Sequence, residues 1–151
     1  LSTLLLMNDI NYPWLILVPR VKNVFDLTDL DYIKQRVLLE EINLCAEFLK
    51  KNFTVDKLNI ASLGNVVRQL HIHVIARSIN DVSFPKPVWG MAKAKKYSEN
   101  KVLGIIKFNL LSKEWKKPIY ALGGINKGNI IKLNCTKAVG IGGITYFETI
   151  K

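Results

Sequence analysis

The chain is predicted to fold as an α+β protein: an antiparallel sheet with one long helix, followed by a short βαβ-like C-terminal fragment. Three observations carry that expectation. Apolar residues recur every three or four positions from Leu30 to Leu49, the period of a helix. From Gln69 to Ile75 polar and apolar residues alternate, the period of a strand. Beyond residue 117, short apolar runs are separated by glycine pairs, as in parallel crossover units. At 151 residues, 49% hydrophobic and 23% charged, the chain is long enough to bury a real core and has the composition of a globular protein.

The elements follow in order. Residues 3–8 and 14–19 are apolar runs separated by Asp9, Asn11 and Pro13, and read as neighbouring antiparallel strands, the second ended by Pro19. Asp26, Thr28 or Asp29 can cap the long helix, whose apolar positions are Leu30, Ile33, Val37, Leu38, Ile42, Cys45 and Leu49. Acidic residues near its start and Lys50 and Lys51 at its end suit the helix dipole. Residues 57–62 and 69–77 form two further strands around a loop with Gly64 and Asn65. Residues 78–89, with Pro85 and Pro87, are irregular.

Charge divides the chain. Residues 1–89 carry 10 Lys/Arg against 9 Asp/Glu, whereas residues 90–151 carry 12 against 3 and hold nearly all of the net charge of +10. Three segments result: a first domain over 1–92, a lysine-rich linker over 93–101 and a second α/β segment over 102–151. The lysines lie among Ile and Asn with no interleaved aromatic platform, which argues against nucleic acid as a partner. No apolar run reaches the roughly 18 to 20 residues of a membrane span. The start at Leu1 suggests a missing upstream piece. Cys45 and Cys135 lack metal-ligand spacing and read as reduced, buried thiols in a cytoplasmic protein.

Both histidines of the chain, His71 and His73, fall on one face of a single expected strand together with Gln69, while Leu70, Ile72 and Val74 face the core. Paired imidazoles can ligate a metal, can be merely hydrogen-bonded, or can divide nucleophilic and donor roles. A zinc site asks for a third protein ligand, and the chain has no third histidine. A purely structural pair stays open, as does catalysis.

The stretch from Gly64 to Arg77 (GNVVRQLHIHVIAR) resembles the signature of the histidine-triad superfamily, in which histidines alternate with apolar residues after a glycine-containing phosphate loop. The likeness extends over about residues 1–90, and the long helix falls where the family has one. It implies a hydrolase or nucleotidyl transferase acting on a nucleoside phosphoramidate or dinucleoside polyphosphate. His71 would attack phosphorus to give a nucleotidyl-histidine, and His73 would contact the phosphate and leaving group. Gln69, which stands in place of the first histidine, would orient His71 through its backbone carbonyl. Gly64, Asn65 and Asn59 would cradle the phosphate, Asp9 would meet the ribose, and Trp89 would reach toward the active site of a partner in a homodimer. No metal or cofactor is implied. Val66 occupies the place where many relatives carry a hydroxyl that helps to protonate the leaving group. The alternative is a catalytically weak or inactive nucleotide-binding protein.

Residues 102–147 resemble something else. Lys117–Asn126 and Ala138–Ile144 are similar to the last two strands of the thiamine-phosphate synthase and thiazole tautomerase barrels. That likeness implies phosphate binding near Gly123, Gly124, Gly142 and Gly143. Helices are expected over 105–115 and 129–133. Two strands cannot close an eight-stranded barrel, so a phosphate-binding fragment is the most this segment could be.

Overall fold

The computed structural model describes residues 1–96, 119–122 and 138–142. Strands β1 (Ser2–Leu6), β2 (Trp14–Pro19), β3 (Lys57–Ala61) and β4 (Ile72–Arg77) form an antiparallel sheet, with the helix α1 (Tyr32–Asn52) inserted between β2 and β3. Two more strands, β5 (Ile119–Leu122) and β6 (Ala138–Gly142), continue the sheet in the order β3-β4-β2-β1-β5-β6, β5 running parallel to β1 and β6 parallel to β5. These are the two glycine-bounded apolar runs expected as strands. The expected helices over 105–115 and 129–133, the glycine turns and Cys135 lie outside the described residues.

The β1–β2 connection is tied by its own backbone. The Asn11 N–H donates to Asp9 Oδ1 at 3.0 Å and the Met7 N–H to the Trp14 carbonyl at 3.0 Å, an Asx-turn closing a short hairpin. Lys93 and Lys95, expected to begin a linker, dock on this turn instead. The Lys93 carbonyl accepts from the Asn11 side chain, the Lys95 carbonyl from the Ile10 N–H, and the Lys95 N–H donates to Asp9 Oδ1 at 3.2 Å.

The helix starts later than the sequence suggests. Asp29 accepts from the Phe25 and Asp26 backbone N–H groups and closes a separate 3-10 turn over Leu27–Asp29. Asp31 is the N-cap of α1, accepting from the Lys34 N–H at 2.8 Å. Several polar residues in a row can each cap, and the extra turn uses up the first of them. Lys50 and Lys51 do lie in the last turn, but no acidic residue lies in the first. Ile33, expected in the core, is 74% exposed, whereas Phe48 and Glu41 are buried. Both Glu41 carboxylate oxygens accept from the Ser2 backbone N–H, at 3.1 and 3.0 Å, pinning the start of β1 to the helix.

Strand alternation gives the sheet two different faces. Leu4, Leu15, Leu17, Ile72, Val74 and Ala76 meet Leu38, Cys45, Phe48 and Leu49 of α1 in the main core. Burial, helped by the nearby Glu41 charge, pushes the Cys45 thiol up to about 12, so it remains a protonated packing group. The opposite face carries Trp14, Ile16, His73, Ile75 and Arg77, joined by Tyr12, Val88 and Trp89. No helix covers it. Among the described residues, no helix is long and apolar enough to cross a membrane.

Candidate active site

This second face is held in place by Arg77. This side chain is fully buried. Its Nε and Nη2 donate to the two Asp81 carboxylate oxygens at 2.7 and 3.0 Å, Nη2 also to Ser83 Oγ at 3.1 Å and the Lys86 carbonyl at 2.9 Å, and Nη1 to Asn59 Oδ1 at 2.7 Å. Burial alone would raise the Asp81 carboxyl, but the Arg77 bonds and the Ser83 backbone N–H hold it down at about 2. Tyr12 adds a hydrogen bond from its hydroxyl to Ser83 Oγ at 2.9 Å. Together these contacts staple residues 81–86 to the end of β4 and lead the chain back to Val88 and Trp89.

Residues 62–71 form the loop between β3 and β4. Gly64 takes φ +69°, a left-handed conformation that a side chain would strain. Asn65 is exposed, and Val66 is 93% exposed, offering no hydroxyl. The end of the loop is firmly anchored. The Leu70 N–H donates to the Val24 carbonyl at 2.9 Å, and Gln69 Nε2 donates to the Pro19 and Val21 carbonyls, each at 3.3 Å. The Gln69 side chain therefore has a task of its own: it ties its backbone to the end of β2.

That backbone orients His71. The Gln69 carbonyl lies 2.7 Å from His71 Nδ1, as the sequence predicts for residue 69. A carbonyl can only accept, so the proton sits on Nδ1 and Nε2 keeps its lone pair. Strand β4 begins one residue later, at Ile72, so His71 and Gln69 precede the strand in which they were expected. The lead-in leaves His71 half-buried rather than enclosed. Its ring nevertheless meets that of His73 edge-on, with centroids 4.9 Å apart.

His73 has the opposite environment. It is only 8% exposed, and the Trp14 indole N–H donates to its Nδ1 at 3.0 Å. An acceptor Nδ1 leaves the proton on Nε2, making this ring a neutral donor. Burial, with the neighbouring His71 adding a smaller effect, lowers its basicity to about 4. Trp14 and Trp89 pack against it edge-on, with centroids at 5.4 and 5.5 Å, and against each other at 5.7 Å.

The structure thus brings together Gln69, His71, His73 and Trp89, and adds Trp14, which sequence reasoning missed. Trp14 pairs with Ile75 across β2 and β4, on the same face as His73, and only the strand register reveals this. Its signal in the sequence is slight: a large aromatic at the start of a strand after Pro13. Trp89 packs edge-on against the His73 of its own chain. Asn59 stands apart from them. It lies opposite Ile75 and gives its oxygen to Arg77, about 13 Å of strand away from the level of His71. Asp9 is buried in the hairpin turn, with Oδ1 engaged by the Asn11 and Lys95 N–H groups.

A family model described as the HIT domain matches residues 1–80. Among solved structures, a histidine triad protein from Bradyrhizobium japonicum is 42% identical, with a TM-score of 0.71 over 76% of this chain and 85% of that one. A histidine triad (HIT) protein from Sinorhizobium meliloti 1021 is 40% identical, with a TM-score of 0.69 over 76% and 84%. A histidine triad protein from Marinobacter aquaeolei VT8 is 39% identical, with a TM-score of 0.68 over 72% and 80%. No curated protein matches the chain.

Proposed function

The chain belongs to the HIT-domain family, and we propose that it is a nucleotide hydrolase or nucleotidyl transferase working through a covalent nucleotidyl-histidine at His71. One observation carries the reading: the 2.7 Å contact between the Gln69 carbonyl and His71 Nδ1, which leaves the Nε2 lone pair available. In the first step Nε2 attacks the α-phosphorus of a nucleoside phosphoramidate or dinucleoside polyphosphate. The N–P bond forms, the bond to the leaving group breaks, and that group departs with the electron pair. Water, or a second acceptor, then attacks phosphorus and releases the nucleotide from His71.

His73, with its proton on Nε2, donates a hydrogen bond to the phosphate oxygens as charge builds there. The backbone around Gly64 and Asn65 holds the same phosphate, and Asp9 sits on the ribose side, the less direct of these roles given its place in the turn. The reading includes the homodimer that the family resemblance implies and a reducing cytoplasmic setting in which Cys45 stays a thiol. It includes no metal or cofactor.

A second reading rests on Val66: a protein that binds nucleotide without turning it over. Incubation with an adenosine phosphoramidate and with a dinucleoside polyphosphate separates the two. We expect nucleoside monophosphate to be released by the wild-type protein and not by His71→Ala. Equal release by both proteins overturns the role of His71, and binding without release favours the second reading.

A further inference from the structure

We propose that Trp14 is a positioning residue that fixes His73 as a neutral Nε2–H donor, so that the site favours leaving groups that depart as stable anions, phosphate or polyphosphate, over amines. The substrate half of this inference rests on nucleotide cleavage at His71. The half concerning Trp14 and His73 does not.

The geometry begins at the strand register. Trp14 stands at the head of β2, buried, with its indole N–H 3.0 Å from His73 Nδ1 and its ring edge-on to the imidazole. An indole N–H can only donate. If His73 gained a second proton, that proton would sit on Nδ1 and point at the indole N–H, with the hydrogen bond between them lost. The groups around His73 offer the imidazolium no compensation. Among the described residues, β2 presents Trp14 and Ile16, β3 presents Ala61 and the C-terminal segment presents Trp89; of the neighbours only His71 titrates. A like charge there opposes protonation, in keeping with the lowered basicity of His73.

The consequence is chemical. A neutral imidazole donates a hydrogen bond but does not surrender its remaining proton near neutral pH. His71 cannot supply one either, because its Nε2 forms the bond to phosphorus and its Nδ1–H stays on the Gln69 carbonyl. Val66 offers no hydroxyl. When the P–O bond of a polyphosphate breaks, the electron pair comes to rest on a phosphate oxygen that is an anion at neutral pH and needs no proton. When a P–N bond breaks, the nitrogen must be protonated to leave as an amine, and the described site holds no acid to do it. The absence of a general acid is worth about 10²- to 10⁴-fold in rate where one is needed.

Two measurements on the full chain test the proposal. Nitrogen-15 NMR of the imidazoles reads the His73 tautomer directly. We expect Nε2–H with Nδ1 unprotonated from pH 8 down to pH 5, and a mixed or protonated ring at pH 5 in Trp14→Phe. An imidazolium or an Nδ1–H tautomer in the wild-type protein overturns the role of Trp14 even if the variant does not fold. The second measurement compares cleavage of a diadenosine polyphosphate with that of an adenosine 5′-(N-alkyl)phosphoramidate. We expect the polyphosphate to react at least about a hundredfold faster, and the ratio to narrow in Trp14→Phe at pH 5 to 6. Comparable wild-type rates overturn the leaving-group selection. If neither compound reacts, cleavage at His71 fails and takes the selection with it, whereas the tautomer result stands or falls alone.

Discussion

The two faces of the sheet are built from the same strands and do opposite work. Leu15, Leu17, Ile72, Val74 and Ala76 look toward α1 and pack with apolar side chains and the thiol of Cys45. Trp14, Ile16, His73, Ile75 and Arg77 look the other way, and their partners are rings, a buried ion pair and backbone carbonyls. The first face owes its energy to area removed from water, which is non-directional. The second depends on hydrogen-bond direction, which decides which nitrogen of each histidine carries a proton. A substitution on one face should therefore register mainly in stability, and one on the other mainly in chemistry.

The largest separation is expected from His71→Ala. Turnover should fall about a thousandfold or more, equivalent to roughly 4 kcal/mol of barrier, while urea unfolding moves by less than about 1 kcal/mol because the side chain is only half-buried. Leu38→Ala is the mirror image. Leu38 is fully buried in the helix-side core, so its truncation should cost about 3 to 4 kcal/mol of stability with turnover per folded molecule unchanged. A Leu38→Ala protein that stays stable but loses activity would break the division between the faces.

Two smaller effects sharpen it. His73 binds a proton less readily folded than unfolded, its basicity being lowered to about 4. Between pH 4 and pH 6.5 the unfolded chain holds the extra proton, so stability is fully present above about pH 6.5 and declines as pH falls toward 4. The contribution is on the order of 3 kcal/mol. It should vanish from the pH dependence of urea midpoints in His73→Gln. Asp31→Ala removes the helix N-cap and should cost about 1 kcal/mol, with no change in turnover.

The same contrast explains what the sequence could reveal. The helix and the four antiparallel strands are legible because burial imposes periods of 3.6 and 2 on residue choice. Errors fall where several residues satisfy one local rule, as with Asp26, Thr28, Asp29 and Asp31 at the helix start. Within the site, Gln69 and His71 are two residues apart, and their carbonyl-to-imidazole bond follows from local backbone geometry. Trp14 and His73 are 59 residues apart and meet only through the β2–β4 register, which no local pattern encodes. Asn59 goes to Arg77 for the same reason.

The covalent intermediate is the centre of the account. Rapid acid-free quenching of the full chain with a dinucleoside polyphosphate, followed by proteolysis and tandem mass spectrometry, tests it most directly. The account predicts a nucleotidyl adduct on His71 itself, absent from His73 and from His71→Ala. Turnover with an adduct on His73, or persisting adduct and turnover in His71→Ala, would contradict it.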